Sequence, residues 1–234
     1  MTFETMCEYL CSLNVEISPL LKAKFELYES LLIEWNEKIN LTSILKPGEI
    51  YEKHFLDCLL LLKGCDFSNK KVVDIGSGAG FPGVVLALSN KEAKVTLVDS
   101  TAKKFKFLEE LKKQLQINNI FFHIGRVEDM KKEKGQFDIV TSRGFSSLPT
   151  ICEVGAPLLK EKGILIAMKS LQGKEELNGS DSSLAKLGLE LDKTLTDTLP
   201  ESKSTRVNFY FKKNKKSQSR FPRRWNDIIS NPLW

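Results

Sequence analysis

Four glycines, Gly76, Gly78, Gly80 and Gly83, follow directly on the run Lys71-Val72-Val73-Asp74-Ile75. A β-branched run cut off by glycines reads as a short buried strand closing in a tight turn. The apolar stretch Val84-Val85-Leu86-Ala87-Leu88 then opens a helix whose free N–H groups face the turn. Strand, glycine turn and helix together make a site where a nucleotide-like ligand lies against backbone at the end of a parallel sheet. Asp99 closes a second apolar strand, Val95-Thr96-Leu97-Val98, where a ribose-binding carboxylate is expected.

Two chemistries fit that loop. Gly78 to Gly83 matches G-x-G-x-x-G, the dinucleotide fingerprint of NAD(P)-dependent oxidoreductases. Against it, Pro82 lacks an N–H where pyrophosphate needs close backbone approach, and Asp74 extends the pattern to D-x-G-x-G-x-G. With the strand-end Asp99, that longer pattern resembles the S-adenosylmethionine (SAM) site of class I methyltransferases. SAM carries a ribose and an adenine but no phosphate, so the loop must allow closeness rather than bind an anion. A turn without a ligand would not call for four glycines and a placed carboxylate.

The elements around the loop alternate. Ile120–Ile124, Phe137–Thr141 and Gly163–Met168 read as further strands, with helices after Asp99 and over 148–159, which argues for a parallel sheet. A polar helix is expected over 173–186, then an antiparallel strand pair over 189–199 and 206–211. Before the sheet come three helices. The first covers 3–13, the second starts at Ser18-Pro19 with Leu21, Phe25, Tyr28, Leu32, Trp35 and Ile39 on one face, and the third spans 47–62. The fold class is α/β, a Rossmann-like and mostly parallel sheet with an antiparallel closing hairpin. Residues 1–66 form a helical extension packed on the core, 67–214 the SAM-binding domain, and 215–234 a basic tail without periodicity.

A chain of 234 residues, 41% apolar, accommodates one such domain plus an extension. No run approaches a membrane span, and the first residues lack the layout of a signal peptide. Five cysteines, an odd number without a C-x-x-C pair, argue against a disulfide framework or zinc site and fit a reducing cytoplasm. The net charge of +5 is concentrated: Pro200 to Trp234 holds nine lysines and arginines against Glu201 and Asp227, leaving the remainder slightly acidic. Nucleic acid is the natural partner for such a segment. Lysines 103, 104, 106, 112 and 113 read as the solvated face of the helix after Asp99.

Beyond the loop, blocks along nearly the whole chain resemble one family, the bacterial 16S rRNA guanine-N7 methyltransferases (RsmG, also called glucose-inhibited division protein B). The blocks are Trp35-Asn36 with Ile39-Asn40-Leu41-Thr42; His54 with Leu56-Asp57; Asp74 to Gly83; Leu97 to Ser100 with Lys103-Lys104 and Phe107-Leu108; Gly125-Arg126-Val127-Glu128; and Thr141-Ser142-Arg143. Two positions depart from the family's frequent residues: Cys58 replaces Ser and Gly144 replaces Ala. The resemblance implies SAM as cofactor, with contacts at Gly76, Phe81, Val127, Glu128 and Arg143. Asp74, Gly78, Gly80 and Asp99 join them from the loop pattern itself. Val127-Glu128 is otherwise an ordinary surface turn. Arg143, at the end of the fourth strand, is the catalytic candidate. It either pairs with the methionine carboxylate, orients the acceptor guanine, or only salt-bridges a nearby acid.

His54 and Asp57, three apart on one helical face, read as a hydrogen-bonded pair fixing the extension against the catalytic domain, with RNA contact as the alternative use. Asn36 and Asn40 brace the loop or touch RNA. The RNA candidates are Arg126 and the tail arginines Arg220, Arg223 and Arg224, interleaved with Phe221 and Trp225. The implied partner is 16S rRNA, naked or in an assembling small subunit, with the protein a cytoplasmic monomer. A non-catalytic RNA-binding module with a degenerate pocket is the remaining alternative.

Overall fold

The computed structural model describes residues 1–11, 13 and 15–234. Seven strands form one sheet: β1 (Lys71–Ile75), β2 (Lys94–Asp99), β3 (Ile120–Ile124), β4 (Phe137–Arg143), β5 (Leu159–Ser170), β6 (Leu189–Thr198) and β7 (Thr205–Lys213). Their order is β3-β2-β1-β4-β5-β7-β6, the first five parallel and β7 antiparallel to both neighbours. The order in which strands are added reverses between β1 and β4, which run parallel, and this puts the C-terminal ends of both beside a shared crevice.

The two sheet faces carry separate cores, because alternate residues of a strand point to opposite sides. Val72, Val95, Leu97 and Tyr210 face the N-terminal helices, α5 (Gly83–Ser89) and α6 (Ala102–Gln114). Val73, Val98, Phe209 and Phe211 face α7 (Leu148–Gly155), α8 (Asp181–Leu187) and the C-terminal residues. The helical extension belongs to the first core. The described helix α1 (Phe3–Leu10) ends before the expected Leu13, and Ser12 lies outside the described residues. Ser18 caps α2 (Pro19–Asn36), which buries Leu21, Phe25, Tyr28 and Leu32. Asn36 Oδ1 accepts from the N–H groups of Leu41 and Thr42, both at 2.8 Å, so it turns the chain out of that helix.

The third helix is irregular. It begins as α3 (Pro47–Ile50), widens into a π-helical turn over Tyr51–Leu56, and closes through α4 (Asp57–Leu59) and a 3₁₀ turn, Leu60–Lys63. The helix expected over 173–186 is likewise split, into a 3₁₀ segment Leu171–Leu177 and α8, with Gly179 at φ 75° between them. Among the described residues no helix is long and apolar enough to cross a membrane.

The C-terminal residues correct the expectation of an aperiodic tail. Phe221 and Ile228 are buried in the second core, and Trp225–Ser230 forms a helix, α9. Arg223 forks onto the fully buried Glu153 of α7, Nε at 2.8 Å and Nη2 at 2.6 Å, while its backbone N–H adds a third bond at 3.0 Å. Ser183 donates to the Leu233 carbonyl and Trp234 Nε1–H to that of Glu176. Single anchors at irregular spacing hold this segment, which is why no period announces it. Lys213, counted in the basic segment, is also buried, its ammonium on the Leu187 carbonyl at 2.6 Å. Arg223→Ala strands the Glu153 carboxylate and should cost about 3 kcal/mol in denaturant unfolding. Arg220→Ala, at an exposed site, should stay within about 0.5 kcal/mol of the parent.

Candidate active site

The glycine loop is braced from both ends of its own carboxylate pattern. Asp74, wholly buried in β1, accepts from the N–H of Gly83 at 2.8 Å through Oδ2, and Thr141 Oγ1–H donates to its Oδ1 at 3.3 Å. Burial raises its pKa to about 7 against the pull of those bonds. Asp99 Oδ2 accepts from the N–H of Gly78 at 3.1 Å and from Lys104 Nζ at 3.2 Å, and Oδ1 from the N–H of Thr101 at 2.9 Å. One carboxylate thus ties loop, strand and the start of α6 together. Gly76 has φ 70°, and a Cβ there would lie 2.4 Å from Phe145, so no side chain is tolerated.

Beside the loop, at the C-terminal ends of β1, β2 and β4, lies a cavity of about 330 Å³. Five of the expected residues meet there: Gly76, Asp99, Arg126, Val127 and Glu128. The short 3₁₀ turn Val127–Asp129 after β3 presents Val127 as an apolar wall next to the Glu128 carboxylate, which Arg126 approaches to 3.5 Å. Gly144, at φ 63°, opens the opposite wall, where a Cβ would meet no protein atom within 4 Å. Carboxylates, an apolar edge and two ring faces suit an adenosine with free ribose hydroxyls. Asp74, Gly78, Gly80 and Phe81 do not line this cavity; they shape the loop beneath it.

Phe81 is buried on the far side, stacked with Tyr28 at 5.2 Å and with His54 at 4.3 Å. Tyr28 O–H donates to the Ala79 carbonyl at 2.6 Å. Above Phe81, at 4.8 Å, sits the guanidinium of Arg143. Arg143 Nη1 donates to the Lys53 carbonyl at 3.1 Å and to Asp57 Oδ2 at 3.3 Å, and Nη2 to His54 Nδ1 at 2.8 Å. Asp57 is also approached by Arg206 Nε at 3.2 Å, so a buried carboxylate stands between two guanidiniums. Burial pushes its pKa up and the two cations pull it down. Three of Arg143's five N–H bonds are engaged, which leaves Nε–H and one Nη2–H as donors.

The match to known proteins is extensive. Residues 21–205 fit the family model described as rRNA small subunit methyltransferase G. The Ribosomal RNA small subunit methyltransferase G of Staphylococcus aureus (strain JH9) is 36% identical, covering all of this chain and 99% of that one. The chain belongs to the rRNA small subunit methyltransferase G family. It is therefore a SAM-dependent methyltransferase. Two solved structures share the fold. M. jannaschii TYW2 in complex with AdoMet is 17% identical with a TM-score of 0.55, covering 73% of this chain and 79% of that one. The ribosomal protein L11 methylase of Lactobacillus delbrueckii subsp. bulgaricus is 16% identical with a TM-score of 0.53, covering 70% and 79%.

Several residues lining the cavity are not expected from the sequence: Ser100, Thr101, Lys104, Phe145 and Trp225. Lys104 reads as a solvated lysine, yet it is about 29% exposed and paired with Asp99. Its place in the first turn after a strand-end carboxylate is the signal that could have found it. Trp225 reaches the cavity from α9, its ring 6.0 Å from Phe145, and only the tertiary fold brings it there. His54 and Asp57 do not bond each other; both hold Arg143. Cys58, buried behind them, has its thiol pKa pushed up by burial, so it acts as packing.

His54 generates a pH prediction. Since Arg143 only donates, Nδ1 must accept, and the proton sits on Nε2 facing Thr42 Oγ1 at 2.9 Å. Burial, then Arg143 and Arg206, depress its pKa to about 2. A depressed pKa gives stability that is complete above the unfolded value near 6.5 and is lost as pH falls toward the folded one. Between pH 7 and 5 this group should remove up to about 2 kcal/mol. Unfolding of His54→Gln across the same range should lack that component; equal slopes would contradict the assignment.

Proposed function

We propose that the protein transfers the methyl group of SAM to N7 of one guanine in the 16S rRNA of the small ribosomal subunit, acting in the cytoplasm as a monomer on the rRNA or the assembling subunit. One observation carries this reading: the carboxylates that line the cavity are already engaged, Asp99 by the N–H groups of Gly78 and Thr101 and by Lys104, and Glu128 by Arg126, which suits them to positioning rather than to taking a proton. His54, the titratable group nearest Arg143, is neutral with both ring nitrogens engaged. Guanine N7 presents a lone pair and no proton, so it needs no base. SAM supplies a methyl group on a positively charged sulfur; the N7–methyl bond forms as the sulfur–methyl bond breaks and its electron pair returns to sulfur.

The residues of this chain then bind and orient. Asp99 takes the ribose hydroxyls, Glu128 the adenine edge, and Gly76 and Val127 give backbone and an apolar wall. Phe145 and Trp225 exclude water from the cavity mouth. The two remaining donors of Arg143 suit guanine O6, the acceptor next to N7, which turns the lone pair toward the methyl without covering it. In this division of labour residues 1–66 hold Arg143, 67–214 hold the cofactor, and 215–234 supply Trp225. Arg126, Arg220 and Arg224 are exposed and available to phosphates, whereas Arg223 serves the fold through Glu153.

Arg143→Lys keeps the charge and loses the planar fork. Methyl transfer from labelled SAM to a 16S transcript should fall at least tenfold, with 7-methylguanosine the only product and SAM affinity by calorimetry unchanged. A normal rate would remove Arg143 from the reaction; lost SAM affinity would assign it to the cofactor instead.

A further inference from the structure

The second core does not reach the edge of the sheet. The connection between β3 and β4 holds only the 3₁₀ turn Val127–Asp129, so no helix covers β3 and the N-terminal half of β2 on that face, although Val98 at the far end of β2 is buried. Register places Val73, Thr96 and Phe121 in one row across the sheet and Lys71 opposite Lys94 in the row beside it, all on the same face. Lys71, Lys94, Thr96 and Phe121 line a cleft of about 310 Å³, beyond the buried Val73, and there Phe121 is 47% exposed. A single exposed ring is unremarkable by itself, since surfaces carry many apolar atoms. Its neighbours make the difference. Lys71 and Lys94 are exposed on the cleft wall, and Lys112 reaches round the edge to 5.8 Å from the ring centre. Glu133 is the one acid lining the cleft; Asp138 nearby is already paired with Lys160 at 2.7 Å.

Aromatic rings on an open sheet face, flanked by cations, are how proteins hold unpaired bases: the ring stacks and the cations take the phosphates on either side. A strand-adding peptide is disfavoured, because Lys112 Nζ caps the Ile120 carbonyl on this edge at 2.7 Å. We propose that the uncovered face is a second RNA contact, where an unpaired base of the substrate stacks on Phe121 and Lys71, Lys94 and Lys112 neutralise flanking phosphates. This rests on the reading that the substrate is rRNA. Phe121 lies four residues before Gly125 of the cofactor cavity, about 13 Å along the strand, so one stretch of single-stranded RNA spans both. The contact sets where the RNA lies without touching the reacting atoms.

The test uses the full-length protein, a fluorescein-labelled oligoadenylate and an unmethylated 16S transcript, with thermal unfolding and SAM calorimetry as controls. Phe121→Ala should weaken oligoadenylate binding about five- to a hundredfold and raise KM for the transcript, with kcat and SAM affinity unchanged. Phe121→Trp should restore both. Lys71→Ala with Lys94→Ala should lower the slope of log affinity against log salt by about 1.4, at ~0.7 per phosphate. Unchanged affinity and slope in all three would overturn the proposal. So would RNA binding that survives while association with ribosomal protein is lost, since the face would then dock protein. Should the wild-type protein methylate neither a 16S transcript nor small subunits from cells lacking the protein, the functional reading fails, and oligoadenylate binding still decides for or against the sheet face.

Discussion

The ion pair between Asp57 and Arg143 is the contact on which the rest of this structure depends. It joins the start of α4, directly after the π-helical turn of the extension, to the C-terminal end of β4, and both partners are largely buried. Neither is replaceable alone: an unpaired charge at such a site costs about 3–5 kcal/mol. Arg206 of β7 shares the carboxylate, so the closing hairpin is bound into the same network. Glu52, in the same turn, adds a second tie by accepting from the N–H groups of Glu201 and Ser202. The extension is thereby built into the network around Arg143, although it precedes the sheet in the chain. The π turn has a visible use here, since it presents the Lys53 carbonyl, His54 and Asp57 together to one guanidinium.

Around that pair the glycine loop is held from two sides. Phe81 stacks against side chains of the extension, and Asp74 and Asp99 hold the loop's N–H groups from the sheet. A loop so fixed is preorganised for a ligand, and the chemistry asks little more. When the attacking atom carries no proton, holding two molecules in line is the main contribution the protein can make. The site accordingly spends its charged groups on each other and on orientation.

Much of this was legible in the sequence for definite reasons. Strands buried on both faces read as apolar runs, so β1 and β4 announce themselves, and Asp99 marks the end of β2 by polarity alone. The cavity lining was legible where its residues are local to the loop or to a strand end: Gly76, Asp99, Val127 and Glu128. Contacts set by the tertiary fold were not. His54 and Asp57 look like partners at helical spacing, and nothing local shows that their common partner is Arg143 in β4. Trp225 and Phe221 look like rings for RNA because they stand among arginines, yet one lines the cavity and the other is core. Charge density misleads similarly, since Lys213 and Arg223 contribute to a basic segment while being tied to the Leu187 carbonyl and Glu153.

The central claim, one guanine of small-subunit rRNA methylated at N7, is tested most directly by a nucleotide-resolution map of 7-methylguanosine in that rRNA. Borohydride reduction and aniline cleavage, read by primer extension, give this map from cells with and without the protein. The account predicts one cleavage site present with the protein, absent without it and restored by complementation. Identical maps in the two cells would contradict it.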